Sequence, residues 1–280
     1  MKIGVISDLH IDSNQKKLKR GDSYDVLLAQ LLYNNEVDLL LLAGDIASDY
    51  RESIVFLDKM KQHNVGDLLF VPGNHDFWSI KNKETDTEKI YQIFCDREDS
   101  PVGKPFFIND DIAVVGNPGW YDYGFASGKY TIEEFEQKKL KVGGWNDRLY
   151  VHWNESDRNV ASRMLDQIKE DLQLIGNRNA ILMTHVVTHP QFTVPLPHRI
   201  YDYYNAFLGS KSYMTLYKEY PITHSVMGHV HFRKSLKENG IQYYCNCLGS
   251  GRYWWTDDPL TEMSYTLETF QIPTISYDLE

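Results

Sequence analysis

The sequence predicts a layered α/β fold, and three observations carry that expectation. Apolar runs of strand length alternate with amphipathic stretches through the first half of the chain, the pattern of strands and helices in alternation. One run, Leu39-Leu40-Leu41-Leu42, is apolar at every position, as suits a strand covered on both faces. At 280 residues and 42% hydrophobic content, the chain can fill a sizeable core without disulfides or a structural metal.

Taken in order, strands are expected over residues 3–6, 38–43, 67–71 and 112–116. Helical periodicity falls between them over 24–33 and 53–61, the second opening at a cap on Ser53. Residues 118–154 are aromatic and irregular, with Gly119-Trp120-Tyr121-Asp122-Tyr123, a helical stretch over 131–140, then Trp145 and Trp153. Val160, Met164, Ile168, Leu172 and Ile175 recur at three- and four-residue steps, which predicts a long helix over 155–174. Another buried strand is expected over 180–184, and short β-like runs follow over 226–232, 241–247 and 265–272. On a strand, Cys245 and Cys247 point to the same face as small core residues. No repeat, low-complexity tract or Gly/Ser/Pro-rich linker interrupts the chain. The expectation is one domain over 1–280, with an aromatic-rich insertion at about 118–154.

Charge and cysteine content narrow the function classes. The net charge is −10, whereas a chain that lives on nucleic-acid backbone carries a basic face. The densest basic stretch, Lys16 to Arg20, is short and reads as a solvated turn. Three cysteines make an odd count, and Cys-x-Cys lacks the spacing of a zinc ribbon or a redox pair. No apolar run of 18 or more residues and no signal-like leader is present, so membrane insertion is not expected and a cytoplasmic location is.

Five short polar motifs sit at or near the ends of expected strands. They are Asp8-Leu9-His10, Gly44-Asp45, Gly73-Asn74-His75-Asp76, Thr184-His185 and Gly228-His229-Val230-His231. In open α/β sheets, ligands gather at the carboxyl ends of strands, so five such clusters converge on one pocket. Asp, His and Asn together make a mixed oxygen/nitrogen environment that suits Mn, Fe, Zn or Ni better than Ca or Mg alone. Asp45 can bridge two cations. Two divalent cations against Asp8, Asp45 and a hydroxide leave a net positive site inside an acidic protein, which favours an anionic phosphate ester. Each motif alone is weak, since a buried His is more often a hydrogen-bonded core residue. The set in this order is specific.

On these motifs the chain resembles the calcineurin-like metallophosphoesterases, whose pattern runs Asp-x-His, Gly-Asp, Gly-Asn-His-Asp/Glu, a separate His, and Gly-His-x-His. The match extends from residue 8 to residue 231. The resemblance implies two mixed β-sheets packed face to face with helices outside, a four-layer α/β/β/α sandwich. It implies that Asp8, His10 and His231 hold a first transition-metal ion, that Asp45 bridges, and that Asn74, His185 and His229 hold a second. It places His75 over the leaving group without binding metal, with a carboxylate such as Asp76 or Asp49 orienting it. Two metals about 3.5–4 Å apart would lower the pKa of a bridging water, and the resulting hydroxide would attack phosphorus. The expected activity is hydrolysis of a phosphate mono- or diester of small or medium size.

The protein-phosphatase branch continues its second motif as Gly-Asp-x-x-Asp-Arg-Gly, but here Asp49 stands where that Arg would be. Arg199 and Arg252 could replace it as a phosphate clamp, since a guanidinium binds phosphate in two-pronged fashion, although surface solvation is the favoured reading of each. The aromatic insertion is a candidate cap over the site, and a satellite core beneath a long excursion is the plainer reading. Two other functions stay open on sequence: a nuclease, which the acidic balance disfavours, and a metal-free binding scaffold, which the intact ligand set disfavours. Oligomeric state is not legible.

Overall fold

A computed structural model of the chain describes residues 1–81 and 84–273. In chain order its strands are β1 (Lys2–Ile6), β2 (Leu39–Leu42), β3 (Asp67–Phe70), β4 (Phe106–Phe107), β5 (Ile112–Gly116), β6 (Lys139–Leu140), β7 (Gly143–Gly144), β8 (Asn179–Met183), β9 (Ile222–Met227), β10 (Arg233–Glu238), β11 (Ile241–Asn246) and β12 (Glu268–Gln271). The helices are α1 (Tyr24–Asn34), α2 (Tyr50–His63), α3 (Thr87–Cys95), α4 (Ile132–Glu136), α5 (Asp147–Tyr150), α6 (Asp157–Ile175), α7 (Tyr201–Tyr204), α8 (Leu216–Glu219) and α9 (Pro259–Thr266).

Two mixed sheets result. One has the order β12-β1-β2-β3 and the other β10-β11-β9-β8-β5-β4. Within the first, β1, β2 and β3 are parallel and β12 is antiparallel to β1. Within the second, β5, β8, β9 and β11 are parallel, with antiparallel β4 and β10 at the edges. Period-two alternation then sorts side chains by layer. Ile3, Val5, Leu39 and Leu41 pack between the sheets against Val114, Ile181, Met183 and Val226. Their neighbours Ile6, Leu40 and Leu42 face the other way, onto Leu28 and Leu32 of α1, Phe56 of α2 and Phe94 of α3. On the far side, Ala113, Val115, Ala180 and Leu182 pack on Ile168, Leu172 and Ile175 of α6. The layers are α/β/β/α, as the resemblance implied. The all-apolar Leu39–Leu42 run is buried at every position, because β2 has a sheet on one face and helices on the other.

Several expected boundaries moved, each for a local reason. Helix α2 opens at Tyr50, capped by the Asp49 carboxylate accepting the Arg51 N–H at 3.2 Å; Ser53 lies inside the helix, its hydroxyl donating to Asp76 at 2.5 Å. The 131–140 stretch keeps its helix only over α4, closed by a Thr131/Glu134 capping box at the start and ended by Lys138 at φ 49°. Residues 139–140 then pair with 143–144 as a small hairpin. The expected 226–232 strand stops at Met227, because the residues after it turn into the site. Residues 265–266 belong to α9, with Asp258 as cap and Pro259 at its first turn, so β12 begins at Glu268. Helix α3, capped by Asp86, was not anticipated.

Cys245 and Cys247 do share a face of β11 and its edge, buried with sulfurs 3.7 Å apart. No helix among the described residues is long and apolar enough to cross a membrane.

Candidate metal centre

The five motifs occupy the segments that follow the carboxyl ends of parallel strands: 7–10 after β1, 43–45 after β2, 71–76 after β3, 184–185 after β8 and 228–231 after β9. The strand ends bring them together, and the backbone must then turn sharply. Asp8, His10, Asp45, His229 and His231 lie at φ 56°, 43°, 57°, 75° and 55°. That left-handed region is costly for residues with a Cβ, and strain of this kind concentrates where a site over-determines the chain. Glycines supply the remaining closeness. A Cβ on Gly73 would stand 2.1 Å from Asp45 Oδ1, and one on Gly228 would stand 2.6 Å from Asp8 Oδ2. The Gly that precedes the chemistry in three of the five motifs, Gly44, Gly73 and Gly228, is therefore a clearance requirement.

Asp8, His10, Asp45 and His231 form one cluster of candidate ligands, and Asp45, His185 and His229 form another, with Asp45 common to both. In the first, His10 Nε2 lies 2.9 Å from His231 Nε2, 4.0 Å from Asp8 Oδ1 and 3.8 Å from Asp45 Oδ2. His231 Nε2 is 3.4 Å from Asp8 Oδ1. In the second, His185 Nε2 is 3.1 Å from His229 Nδ1 and 3.5 Å from Asp45 Oδ1. Asn74 Oδ1 completes this group, 3.1 Å from His185 Nε2 and 2.9 Å from His229 Nδ1.

Proton counting decides what these contacts mean. A carbonyl can only accept, so His185 Nδ1, 2.8 Å from Ala43 O, carries that ring's proton, and His229 Nε2, 2.9 Å from Phe207 O, carries the other. The facing nitrogens, His185 Nε2 and His229 Nδ1, then hold bare lone pairs, and so does Asn74 Oδ1. Three acceptors converge with no proton among them, an arrangement that a cation stabilises and a hydrogen bond does not. Carbonyl-fixed tautomers of this kind are the usual outer support of metal-binding imidazoles.

Electrostatics agree. Burial pushes His185 down to about 3 and His10 well below its ordinary value, so both rings are neutral with a lone pair to give. Burial, with Asp8 and Asp76 beside it, pushes Asp45 well above the usual carboxylate range. An anion so placed calls for positive charge, and Asp45 Oδ2 is a buried oxygen without a hydrogen-bond partner. The residues present fit two metal ions. Among the candidate ligands His231 is the exposed one, with 41% of its side chain accessible, so the centre opens on that side.

His75 and Asp76 part company in the structure. The His75 ring stacks on Trp78, with centroids 3.7 Å apart, and meets His10 edge-on at 4.7 Å. Its Nδ1 lies 3.3 Å from Ser48 Oγ. Asp76 does not orient that ring. Its carboxylate accepts the backbone N–H groups of Asp45 and Gly73 at 2.7 Å, of Ile46 at 3.0 Å and of Ala47 at 3.4 Å, besides the Ser53 hydroxyl. It ties the loops after β2 and β3 together, and burial pushes it up to about 6 against those donors.

Three residues near the site escaped the sequence reading: Ser48, Trp78 and Asp147. Asp147 accepts the Asn74 side-chain N–H at 2.9 Å. Only the aromatic density of 118–154 hinted that this stretch approaches the centre. Of its rings, Trp120 and Tyr121 are fully buried, and Trp145 stacks on Phe207 with its centroid 5.7 Å from that of His229. Arg199 and Arg252 are both exposed.

Sheets that converge five loops on two ligand groups sharing one carboxylate define a metal-dependent hydrolase architecture of the dinuclear type. The family model for calcineurin-like phosphoesterases matches residues 1–233, and the chain belongs to that family. It is a metallophosphoesterase, a hydrolase of phosphoric ester bonds. No curated protein matches the sequence. Among solved structures, the fold is similar to phosphopantetheinyl hydrolase from Mycobacterium tuberculosis, at 20% identity, a TM-score of 0.70 and 90% coverage of both chains. It is also similar to a dimetal phosphatase from Danio rerio, at 14% identity and a TM-score of 0.50, covering 88% of this chain and 86% of that one.

Proposed function

We propose that the protein hydrolyses a small or medium-sized phosphate mono- or diester with two transition-metal ions, one held by Asp8, His10 and His231 and one by Asn74, His185 and His229, with Asp45 between them. The observation that carries this reading is the pair of ligand groups joined at Asp45, with unprotonated nitrogens turned inward in the second. The nitrogen and oxygen donors, without a thiolate, suit Mn, Fe, Zn or Ni. Bound there, the ions would polarise the phosphoryl oxygens and supply a hydroxide nucleophile near neutral pH. His75 binds neither ion. With Nδ1 engaged by Ser48 and its face on Trp78, it presents Nε2 to the leaving oxygen as a proton donor. Asp76 holds the two loops that set Asp45 and Asn74. Within the aromatic stretch 118–154, Trp145 and Asp147 stand beside His229 and Asn74, while Trp120, Tyr121 and Tyr123 pack in the core beneath. Three cysteines, an odd count without the spacing of a disulfide framework, suit a cytoplasmic location.

The test is hydrolysis of p-nitrophenyl phosphate and bis-p-nitrophenyl phosphate with Mn²⁺, Ni²⁺ or Zn²⁺ after chelation, beside Asp45→Asn. A phosphopantetheinyl ester joins the panel because of the neighbour named for that activity. Metal-dependent turnover that Asp45→Asn abolishes supports the reading, and the preferred ester separates monoesterase from diesterase. Folded protein that turns over none of the three with any metal would sink it.

A further inference from the structure

Asp147 opens α5 in the middle of the aromatic stretch and is 1% exposed. Its two oxygens accept four hydrogen bonds: Oδ1 from Asn74 Nδ2 at 2.9 Å and Trp78 Nε1 at 2.8 Å, Oδ2 from the Tyr121 hydroxyl at 2.7 Å and Trp145 Nε1 at 2.9 Å. Four donors aimed at one carboxyl group are matched only by the ionised form, which is acceptor at every lone pair. Among the described residues, no Lys or Arg forms an ion pair with it. A buried carboxylate satisfied by neutral donors alone still lacks a countercharge, and such groups are rare unless a cation is close.

We propose that Asp147 is the positioning residue of the second metal-binding group, acting through Asn74 and resting on the two-metal reading above. An asparagine side chain has two ends of similar shape and opposite chemistry. By taking Nδ2, Asp147 turns Oδ1 toward His185 and His229; the reversed amide would aim an N–H at the cation. The second need is charge. The first ligand group has Asp8 of its own, while Asn74, His185 and His229 are neutral and share only Asp45. Asp147 supplies the missing negative charge one amide away. Through Trp78, which it also holds, it fixes the ring that backs His75, so one carboxylate aligns a metal ligand and the leaving-group histidine.

The same region contains a matched control. Asp157 is buried likewise and accepts from Trp120 Nε1 at 2.7 Å and the Tyr123 hydroxyl at 2.6 Å, but Lys138 neutralises it at 2.9 Å and none of these partners is a metal ligand. Chelator-stripped wild type, Asp147→Asn and Asp157→Asn are titrated with Mn²⁺ by calorimetry, and their melting temperatures are read in parallel. Loss of an outer partner typically weakens metal binding by roughly 10–100-fold. Asp147→Asn is expected to weaken one of the two equivalents by that factor and to leave the other at wild-type affinity. Asp157→Asn is expected to melt lower and bind both equivalents as wild type does. Should Asp147→Asn not fold, Tyr121→Phe carries the test by removing one of the four donors, with one equivalent weakened by less than the roughly 10–100-fold expected for loss of the whole carboxylate and the other unchanged. Wild-type affinity for both equivalents in the folded Asp147 variant, or in Tyr121→Phe if that variant is needed, overturns the proposal alone. The same selective loss in Asp157→Asn also overturns it, by making the effect structural. Wild type that binds no Mn²⁺ overturns the two-metal reading and this proposal together.

Discussion

His75 and Asp76 are sequence neighbours with unlike surroundings, and their substitutions should separate accordingly. His75 touches Ser48, Trp78 and His10 and serves as ligand in neither cluster. His75→Ala is therefore expected to retain both metals by elemental analysis while turnover of a poor leaving group falls by about 10²–10⁴-fold, the usual worth of general acid catalysis. Wild-type turnover in that variant would remove the assigned role. A second residue gives a pH signature far from the centre. Asp171 on α6 is buried, with the Gln167 side chain and the Gly103 N–H, both at 3.3 Å, as its donors. Burial pushes its carboxyl from 3.8 up to about 6. Between those values the folded chain holds a proton that the unfolded chain has released, so this group's contribution falls as pH rises through the window and is fully unfavourable above it. Asp171→Asn should raise the urea midpoint over wild type at pH 8, with the gain shrinking to nothing below pH 4. A gain independent of pH would mean that the substitution acts by some other route.

At the scale of elements, the site depends on loops touching at backbone distance, and Gly73 is the sharpest instance. A methyl there would meet Asp45 Oδ1 at 2.1 Å and the Asp45 backbone N at 2.5 Å, and the backbone atom cannot swing aside as a side-chain end could. Gly73→Ala is expected to cost about 1–3 kcal/mol by overpacking and to weaken metal binding, because the collision falls on the shared carboxylate. The urea midpoint and Mn²⁺ titration read the two effects separately. Leu41, fully buried between the sheets, is the contrast. Leu41→Ala should cost about 2–5 kcal/mol and leave the metal affinity of the folded fraction intact. This contrast also marks what the sequence could disclose. The candidate ligands were legible because Asp, His and Asn are chemically distinct and each motif follows a strand. The roles proposed for them come from resemblance to the family. Asp147 was not legible, because three of its donors come from Asn74, Trp78 and Tyr121, separated from it by 73, 69 and 26 residues. Nothing local sets that carboxylate apart from Asp157. Strand ends were misjudged where apolar character runs past the last ladder residue, as at Val230 and Phe232, since hydrophobic period says nothing of a loop that must turn inward.

On the scale of the whole molecule, the centre sits where the two sheets and the aromatic stretch meet, and its occupancy should report on all three. Asp8, Asp45, Asp76 and Asp147 are each no more than 1% exposed and crowd one volume with the candidate ligands His10, His185, His229 and His231. Without positive charge that crowd opposes folding, as the upward displacement of Asp45 by burial and by Asp8 already registers. Cations that bind the folded chain and not the unfolded one add stability by mass action, about 2.7 kcal/mol at a hundredfold excess over the dissociation constant. Chelator-stripped protein is accordingly expected to melt several degrees lower than the same protein resupplied with Mn²⁺, with saturation as the sites fill. Asp45→Asn should lose most of that rise, since one substitution removes the carboxylate common to both groups and relieves part of the repulsion in the empty state. The stripped variant should then melt closer to, or above, stripped wild type. A melting temperature that ignores metal in wild type would mean that the converging lone pairs are satisfied by something other than a cation, and would return His185, His229 and Asn74 to the status of core residues.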